Sequence, residues 1–114
     1  MDPVELKRRT KAFALGIMAQ TDTLPPTAKG RVITNQILRS ATAVASGYRA
    51  TCRARSRADW IDKVGRIVEE ADETLLWLEL IEESALLPIT RVATLLQEAD
   101  ELTALFTAIH KSSK

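Results

Sequence analysis

The stretch Arg39–Arg57, RSATAVASGYRATCRARSR, begins with small residues and ends with closely spaced arginines. Alanine, serine and glycine let a neighbouring helix approach closely, whereas arginine side chains attract carboxylates or phosphates. When the stretch is drawn as a helix at 100° per residue, its small apolar residues and its arginines fall on different faces. The stretch therefore predicts a helix that packs tightly against a neighbour and presents a basic stripe elsewhere.

The chain on either side of this stretch continues the helical pattern. The pair Pro25-Pro26 separates this helix from an earlier one, and Leu87-Pro88 precedes a later one. Ser56 is a candidate helix cap, with Asp59 as its capping-box partner. Apolar residues of the central helix recur with a period of 3.6, at Ile33, Ile37, Ala41, Val44, Ala45, Tyr48 and Cys52. The predicted helices span about 2–20, 28–53, 57–84 and 88–110.

The third predicted helix carries apolar residues on two sides. Its main row alternates in steps of three and four, at Ile61, Val64, Val68, Ala71, Leu75 and Leu78. Leu76, Trp77 and Leu80 fall off this row, toward the opposite side of the helix. Either the fourth helix or a loop covers them, or they form a subunit interface, where aromatic residues are enriched. We favour the interface, and we expect Trp60, near the start of the helix, in the core.

The composition supports a helical fold. The 114 residues, taken as a single domain over 1–114, are 46% hydrophobic but only 4% aromatic. Alanine and leucine supply most of the apolar volume, which favours closely packed helices over strands. Four amphipathic helices with short connections predict an all-α, antiparallel up-down-up-down four-helix bundle.

The net charge and the cysteine content restrict the expected partners and location. A formal net charge of +1 does not require a polyanionic partner, so any nucleic-acid site must depend on local charge. The single cysteine, Cys52, excludes an intrachain disulfide and is typical of a reducing compartment. The acidic Met1–Glu5 is unlike a signal peptide, and no apolar run is long enough to span a bilayer. We expect a cytoplasmic protein with no membrane partner.

The basic stripe of the second helix has three interpretations, which the sequence leaves open. The arginines form a solvated face, or they pair with carboxylates of the third helix within or between subunits, or they bind phosphate. Asn35, Ser46 and Tyr48 would add hydrogen bonds or stacking to a phosphate site. The candidate nucleic-acid contacts are Arg31, Asn35, Arg39, Arg49, Arg53, Arg55 and Arg57.

The sequence lacks the groups that common catalytic and metal sites need. A di-iron bundle requires two Glu-x-x-His motifs, but the chain has one histidine, His110, preceded at that spacing by Thr107. Cys52 has no cysteine partner and is expected as a small core residue. The glycines form no phosphate-binding loop. We therefore expect no metal, no cofactor and no enzymatic activity.

Several local motifs are similar to those of a known family. The segment Gly30–Ile81 contains Asn35-Gln36, Gly47-Tyr48-Arg49, Asp59-Trp60 and the run Leu76-Trp77-Leu78-Glu79-Leu80. In these motifs it resembles the four-helix-bundle family of bacterial 23S rRNA intervening-sequence proteins. The resemblance implies assembly into a ring, typically a homopentamer, and supplies no catalytic residues. A related bundle, the accessory variability determinant of diversity-generating retroelements, is a basic pentamer that binds nucleic acid and a reverse transcriptase.

These observations predict a non-enzymatic, oligomeric binding module for RNA or another nucleic acid. The alternative is an assembly or adaptor protein that recruits another protein, with the arginine stripe serving subunit contacts. The two differ in what the arginines contact.

Overall fold

The computed structural model describes residues 2–113, and these residues form four α-helices. The helices are α1 (Pro3–Thr21), α2 (Ala28–Thr51), α3 (Arg57–Glu83) and α4 (Ile89–Ser112). No strand occurs between residues 2 and 113. The prediction of an all-α protein with four helices is confirmed.

Side-chain caps fix where the first three helices begin. Asp2, Thr27 and Ser56 each accept a hydrogen bond from the backbone N–H three residues later. Each cap satisfies one of the N–H groups that a helix start leaves without a partner. At the start of α2, Gly30 is required because a Cβ at this position would lie 1.9 Å from the carbonyl oxygen of Pro25.

The helices pack in a closed cycle around one core. α1 packs against α2 and α4, and α3 packs against the same two helices. The fully buried side chains with the largest volumes come from all four helices and include Leu6, Ile17, Ile37, Val44, Ile67, Leu78, Leu102 and Phe106. Between α2 and α3, the buried Thr74 hydroxyl donates to the Ser40 hydroxyl at 2.8 Å. This bond satisfies two buried polar groups and fixes one lateral register of α2 against α3.

The buried face of α3 is displaced from the predicted row. Val64, Ala71 and Leu78 are buried as expected, but Ile61, Val68 and Leu75 are only half-buried. The other buried positions are Ile67, Thr74 and Ile81. The reason is that α3 packs against both α2 and α4. Its buried stripe is centred between two neighbours, whereas a heptad row describes contact with a single partner.

The prediction of Cys52 as a core residue is wrong. Helix α2 ends at Thr51, and Cys52 is its C-cap. The thiol is exposed because the chain leaves the helix at this point.

Candidate nucleic-acid interface

The seven candidate residues lie on α2, in the loop after it and at the first position of α3, and they do not form one surface. Along α2, Arg31 and Arg49 are separated by about 27 Å at 1.5 Å per residue. The guanidinium groups of the six candidate arginines also have different surroundings. Some contact other parts of the chain, and others do not.

Two candidate arginines bind backbone carbonyls. Arg31 donates from Nη1 to the carbonyl of Pro26 at 2.8 Å, and Arg57 donates from Nη2 to the carbonyl of Ser113 at 2.6 Å. The first contact holds the loop between α1 and α2, and the second holds the end of α4. Asn35 is exposed one turn after Arg31.

Arg39 forms an ion-pair network with α3. Its Nη1 donates to Glu70 Oε2 at 3.0 Å, and its Nη2 donates to Glu73. Glu73 also accepts a hydrogen bond from the indole N–H of Trp77 at 3.1 Å. The Trp77 hydrogen bond, with Arg39 adding to it, holds the pKa of Glu73 below its ordinary value. Arg39 thus matches the interpretation in which the arginines pair with carboxylates of the third helix.

A second group of cations has no such partner. Lys7 of α1, Arg49 and Ala50 of α2, and Arg53 of the following loop line a cavity of about 490 Å³, which we call the basic cleft. Between residues 2 and 113, none of the three cations of the cleft forms an ion pair. Three positive charges therefore face one solvent-accessible cavity without a carboxylate in its lining.

The helices explain how the basic cleft forms. Arg49 lies in the last turn of α2, and Arg53 directly follows the C-cap Cys52, whose backbone is still in the right-handed helical region, so both arginines line the cleft at the end of this helix. Lys7 follows Leu6, which is 2% exposed and anchors the start of α1 in the core. Lys7 could not be predicted as a site residue from the sequence, because its role depends on which face of α1 lies beside α2. Its only signal in the sequence is its position next to a core residue.

Arg55 adds charge at the same end of the molecule. Its side chain is exposed in the loop between α2 and α3, and its backbone N–H donates to Asp59 at 3.1 Å. No acidic residue occurs between Asp22 and Asp59, so α2 and this loop carry only positive charges. The net charge of the chain is still close to neutral, because most carboxylates lie in the second half of the sequence.

A larger cavity, which we call the end cavity, adjoins the basic cleft and shares Lys7 with it. It has a volume of about 850 Å³ and lies among the first residues of α1 and α3 and the last turns of α2 and α4. Its walls include the apolar side chains of Leu6, Val64, Phe106 and Ile109, and the rings of Tyr48 and Trp60. Trp60, expected in the core, is half-buried and lines this cavity.

Two of the three candidate interface residues, Trp77 and Leu80, lie beside α2, whereas Leu76 is exposed elsewhere on α3. Leu76 is 47% exposed and Leu80 is 40% exposed, whereas Trp77 is half-buried. Trp77 and Leu80, together with Val32 and Leu86, line a groove of about 510 Å³ with an almost entirely apolar lining, which we call the apolar groove. Exposed apolar surface of this kind is typical of an interaction site.

The described residues contain neither a candidate metal site nor a candidate membrane-spanning helix. Within residues 2–113, no group of three or more His, Cys, Asp or Glu side chains could hold a metal ion. None of the four helices in this range is both long enough and apolar enough to cross a membrane.

Comparison with known proteins identifies a family and a solved structure to which the chain is similar. Residues 3–108 match the family model of the 23S rRNA-intervening sequence protein. The chain is also similar to a crystal structure of a protein with unknown function from the S23 ribosomal protein family of Bacteroides thetaiotaomicron. The two share 31% sequence identity with a TM-score of 0.85, over 93% of this chain and 98% of the other. No curated protein matches.

Proposed function

Because the chain belongs to the family of 23S rRNA-intervening sequence proteins, we propose that it is a non-enzymatic RNA-binding module whose basic cleft contacts phosphate. The observation that carries this proposal is the convergence of Lys7, Arg49 and Arg53 on one cavity without a carboxylate. Cations of this kind gain free energy by replacing the counterions of a nucleic acid. The protein acts in the bacterial cytoplasm, which suits a chain with a single cysteine.

The contacts of the candidate residues divide them into two roles. Arg49 and Arg53, joined by Lys7, form the phosphate site, and Arg55 extends it into the adjacent loop. Arg39 is assigned to the ion pairs with α3, because a phosphate would have to displace Glu70 and Glu73 from it. Arg57, Arg31 and Asn35 make secondary contacts at most, since both arginines already bind carbonyls.

The bundle is antiparallel in this proposal. Ser40 contacts Thr74, and a Cβ at Gly47 would contact Ile67, so rising numbers in α2 meet falling numbers in α3. A Cβ at Gly65 would likewise meet His110, and Arg57 binds the carbonyl of Ser113. These contacts support the up-down-up-down order predicted from the short connections.

The protein assembles into a ring through Leu76, Trp77 and Leu80, with a homopentamer as the state implied by the family resemblance. Support comes from the exposure of Leu76 and Leu80 and from the continuous apolar groove beside Val32. A ring would place one basic cleft on each subunit and so bind a polyanion at several points.

The assembly is tested with Trp77→Ala. We expect this variant to sediment as smaller species while its helical circular dichroism is retained, because Trp77 is half-buried and most of the core lies elsewhere. Ile89→Ala is a matched control, since Ile89 is 49% exposed and does not line the apolar groove. A Trp77→Ala variant with unchanged mass would contradict the interface.

The second candidate function is an assembly or adaptor protein that recruits another protein. The apolar groove favours it, because it can accept an apolar segment of a partner. The arginine network of Arg39, Glu70 and Glu73 then serves to stiffen the face around the groove. In this case RNA would not bind near physiological salt.

RNA binding is tested by titrating the protein against labelled ribosomal RNA stem-loops and a random RNA at several salt concentrations. The test variant carries Arg49→Glu and Arg53→Glu, and we expect its affinity to fall on the order of 100-fold. Arg66→Glu combined with Arg91→Glu is the matched control, because it also reverses two charges, at exposed positions that line neither the basic cleft nor the end cavity beside it. Salt-independent binding, or equal losses in test and control variants, would contradict the proposal.

A further inference from the structure

The end cavity has the properties of a site for a flat, mostly apolar group. Its walls are mostly apolar. The polar groups in the lining are hydroxyls, the Cys52 thiol, and the side chains of Lys7 and Arg57. No acidic residue lines it. A volume of about 850 Å³ lies within the range of small-ligand sites, so the cavity can admit an aromatic ring system together with water.

Two aromatic side chains of the cavity are positioned differently from the rest of the core. The ring of Tyr48 packs on Phe106, with ring centroids 5.8 Å apart at an angle of 52°. Burial, with a smaller contribution from the neighbouring Cys52 thiol, raises the pKa of Tyr48 to about 12. The phenol therefore stays protonated at physiological pH and can donate a hydrogen bond.

Trp60 differs from Trp77 in its indole N–H group. Trp77 donates to Glu73, whereas Trp60 donates no hydrogen bond to any residue of the described chain. Its ring is half-buried and lines the end cavity. Trp60 therefore offers both a stacking face and an unused donor to a ligand.

The basic cleft adjoins the end cavity through Lys7, which lines both. A mostly apolar space, bounded by the half-buried ring of Trp60 and the mostly buried ring of Tyr48, thus opens beside three cations. A ligand that has a planar, weakly polar part and an attached anion matches this arrangement. A nucleotide is such a ligand, with a base that stacks on aromatic rings and a phosphate that pairs with arginine and lysine.

We propose that the end cavity holds one unstacked nucleobase of a single-stranded RNA, with the adjoining phosphate in the basic cleft. This inference rests on the proposed RNA-binding function and specifies its substrate as single-stranded, looped or frayed RNA. A base within a duplex is paired and stacked on both faces, so it cannot enter the cavity. Charge in the cleft provides the affinity, and the cavity distinguishes a strand with bases from a bare backbone.

The test compares three ligands of matched length: a single-stranded oligoribonucleotide, the same strand without bases, and the strand annealed to its complement. We expect the single strand to bind about tenfold more tightly than the abasic strand, as stacking of one base implies. It should also bind more tightly than the duplex and quench the fluorescence of Trp60. Equal affinity for the single and abasic strands would overturn the base pocket while leaving RNA binding intact. Absence of binding to all three would overturn the proposed function itself.

Two substitutions of Trp60 separate stacking from packing. Trp60→Leu keeps an apolar side chain but removes the aromatic face, and we expect it to abolish the preference for the single strand over the abasic strand. Trp60→Phe keeps an aromatic face and should retain most of that preference. Both variants are checked for unchanged helical circular dichroism. If Trp60→Leu folds and keeps the full preference, the assignment of the cavity is wrong.

A charge variant and a free nucleotide complete the test. Arg53→Glu should weaken binding of all three ligands by a similar factor, because it removes a phosphate contact common to them. An effect of Arg53→Glu on the single strand alone would contradict the division between cleft and cavity. A free nucleoside monophosphate should compete much more weakly than the strand. Competition at equal concentration would show a site for free nucleotides and overturn the assignment to RNA.

Discussion

Two regions of this molecule each combine arginine with tryptophan, and they differ in whether carboxylates of a neighbouring helix neutralise the arginine. In the middle of the bundle, Glu73 accepts hydrogen bonds from both Arg39 and Trp77. At the end of the bundle, the three cations of the basic cleft form no ion pair, and the indole N–H of Trp60 has no partner in residues 2–113. In the first region, the guanidinium and the indole N–H both bind carboxylates of the chain. In the second region, the cations and the indole N–H remain available to bind a ligand. An arginine stripe alone therefore does not define a binding surface, since the neighbouring helix decides which arginines are neutralised.

Among the substitutions that compare these two regions, the largest effect is expected when a carboxylate is added to the basic cleft. Ala50 is exposed and lies between the two arginines of the cleft. Ala50→Glu would give the cleft the kind of partner that Arg39 already has, so RNA affinity should fall about tenfold. Ala50→Gln, of nearly the same size and without charge, is the control for altered packing. A loss of the same size in both variants would show that charge is not the cause.

A smaller effect is expected when the satisfied region loses its arginine. Arg39→Gln should lower the free energy of unfolding only slightly, because Arg39 is half-exposed and its ion pairs are screened by water. RNA affinity should stay close to that of the unmodified protein. Chemical denaturation and RNA titration of the same sample measure both quantities. An affinity loss as large as that of Ala50→Glu would mean that Arg39 also binds phosphate.

The smallest effect concerns the pH dependence of stability. The pKa of Glu73 is lowered in the folded state, first by Trp77 and then by Arg39. Its contribution to stability is thus present above the ordinary glutamate value, about 4.3, and disappears as the pH falls through the lower, folded-state value. Over this acidic range, the free energy of unfolding should fall more steeply for the unmodified protein than for Glu73→Gln.

Glu69→Gln serves as the control for this pH effect. Glu69 is exposed on the same helix, and its carboxylate forms no ion pair among the described residues. Glu69→Gln should leave the pH dependence of the free energy of unfolding in the acidic range unchanged. The same flattening in both variants would mean that the general loss of negative charge on α3, and not the contacts of Glu73, sets the slope.

The four helices and their approximate limits could be predicted from the sequence, because helix caps and hydrophobic periodicity are local properties. Ser56 and the pair Pro25-Pro26 mark helix limits without reference to the rest of the chain. The predicted buried row of α3 was partly wrong, because it depends on where the neighbouring helices lie. The prediction of Cys52 as a core residue was wrong, because it depends on where α2 ends.

The candidate site was less predictable because it depends on contacts between helices. The sequence identified the arginines but could not separate Arg39 from Arg53, since only the packing of α3 brings Glu70 and Glu73 to one of them. It also could not identify Lys7, which comes from α1, or place Trp60 at a cavity wall. Spacing along one helix defines a face, but the adjacent helices define its chemistry.

The most direct test of the account is the salt dependence of RNA binding in two single variants, Arg53→Gln and Arg39→Gln. A phosphate contact contributes to the slope of log affinity against log salt concentration, so its loss makes the slope shallower by roughly 0.7 to 0.9. We predict this change for Arg53→Gln and an unchanged slope for Arg39→Gln. Equal changes in both variants, or a change in Arg39→Gln alone, would contradict the assignment of phosphate binding to the basic cleft.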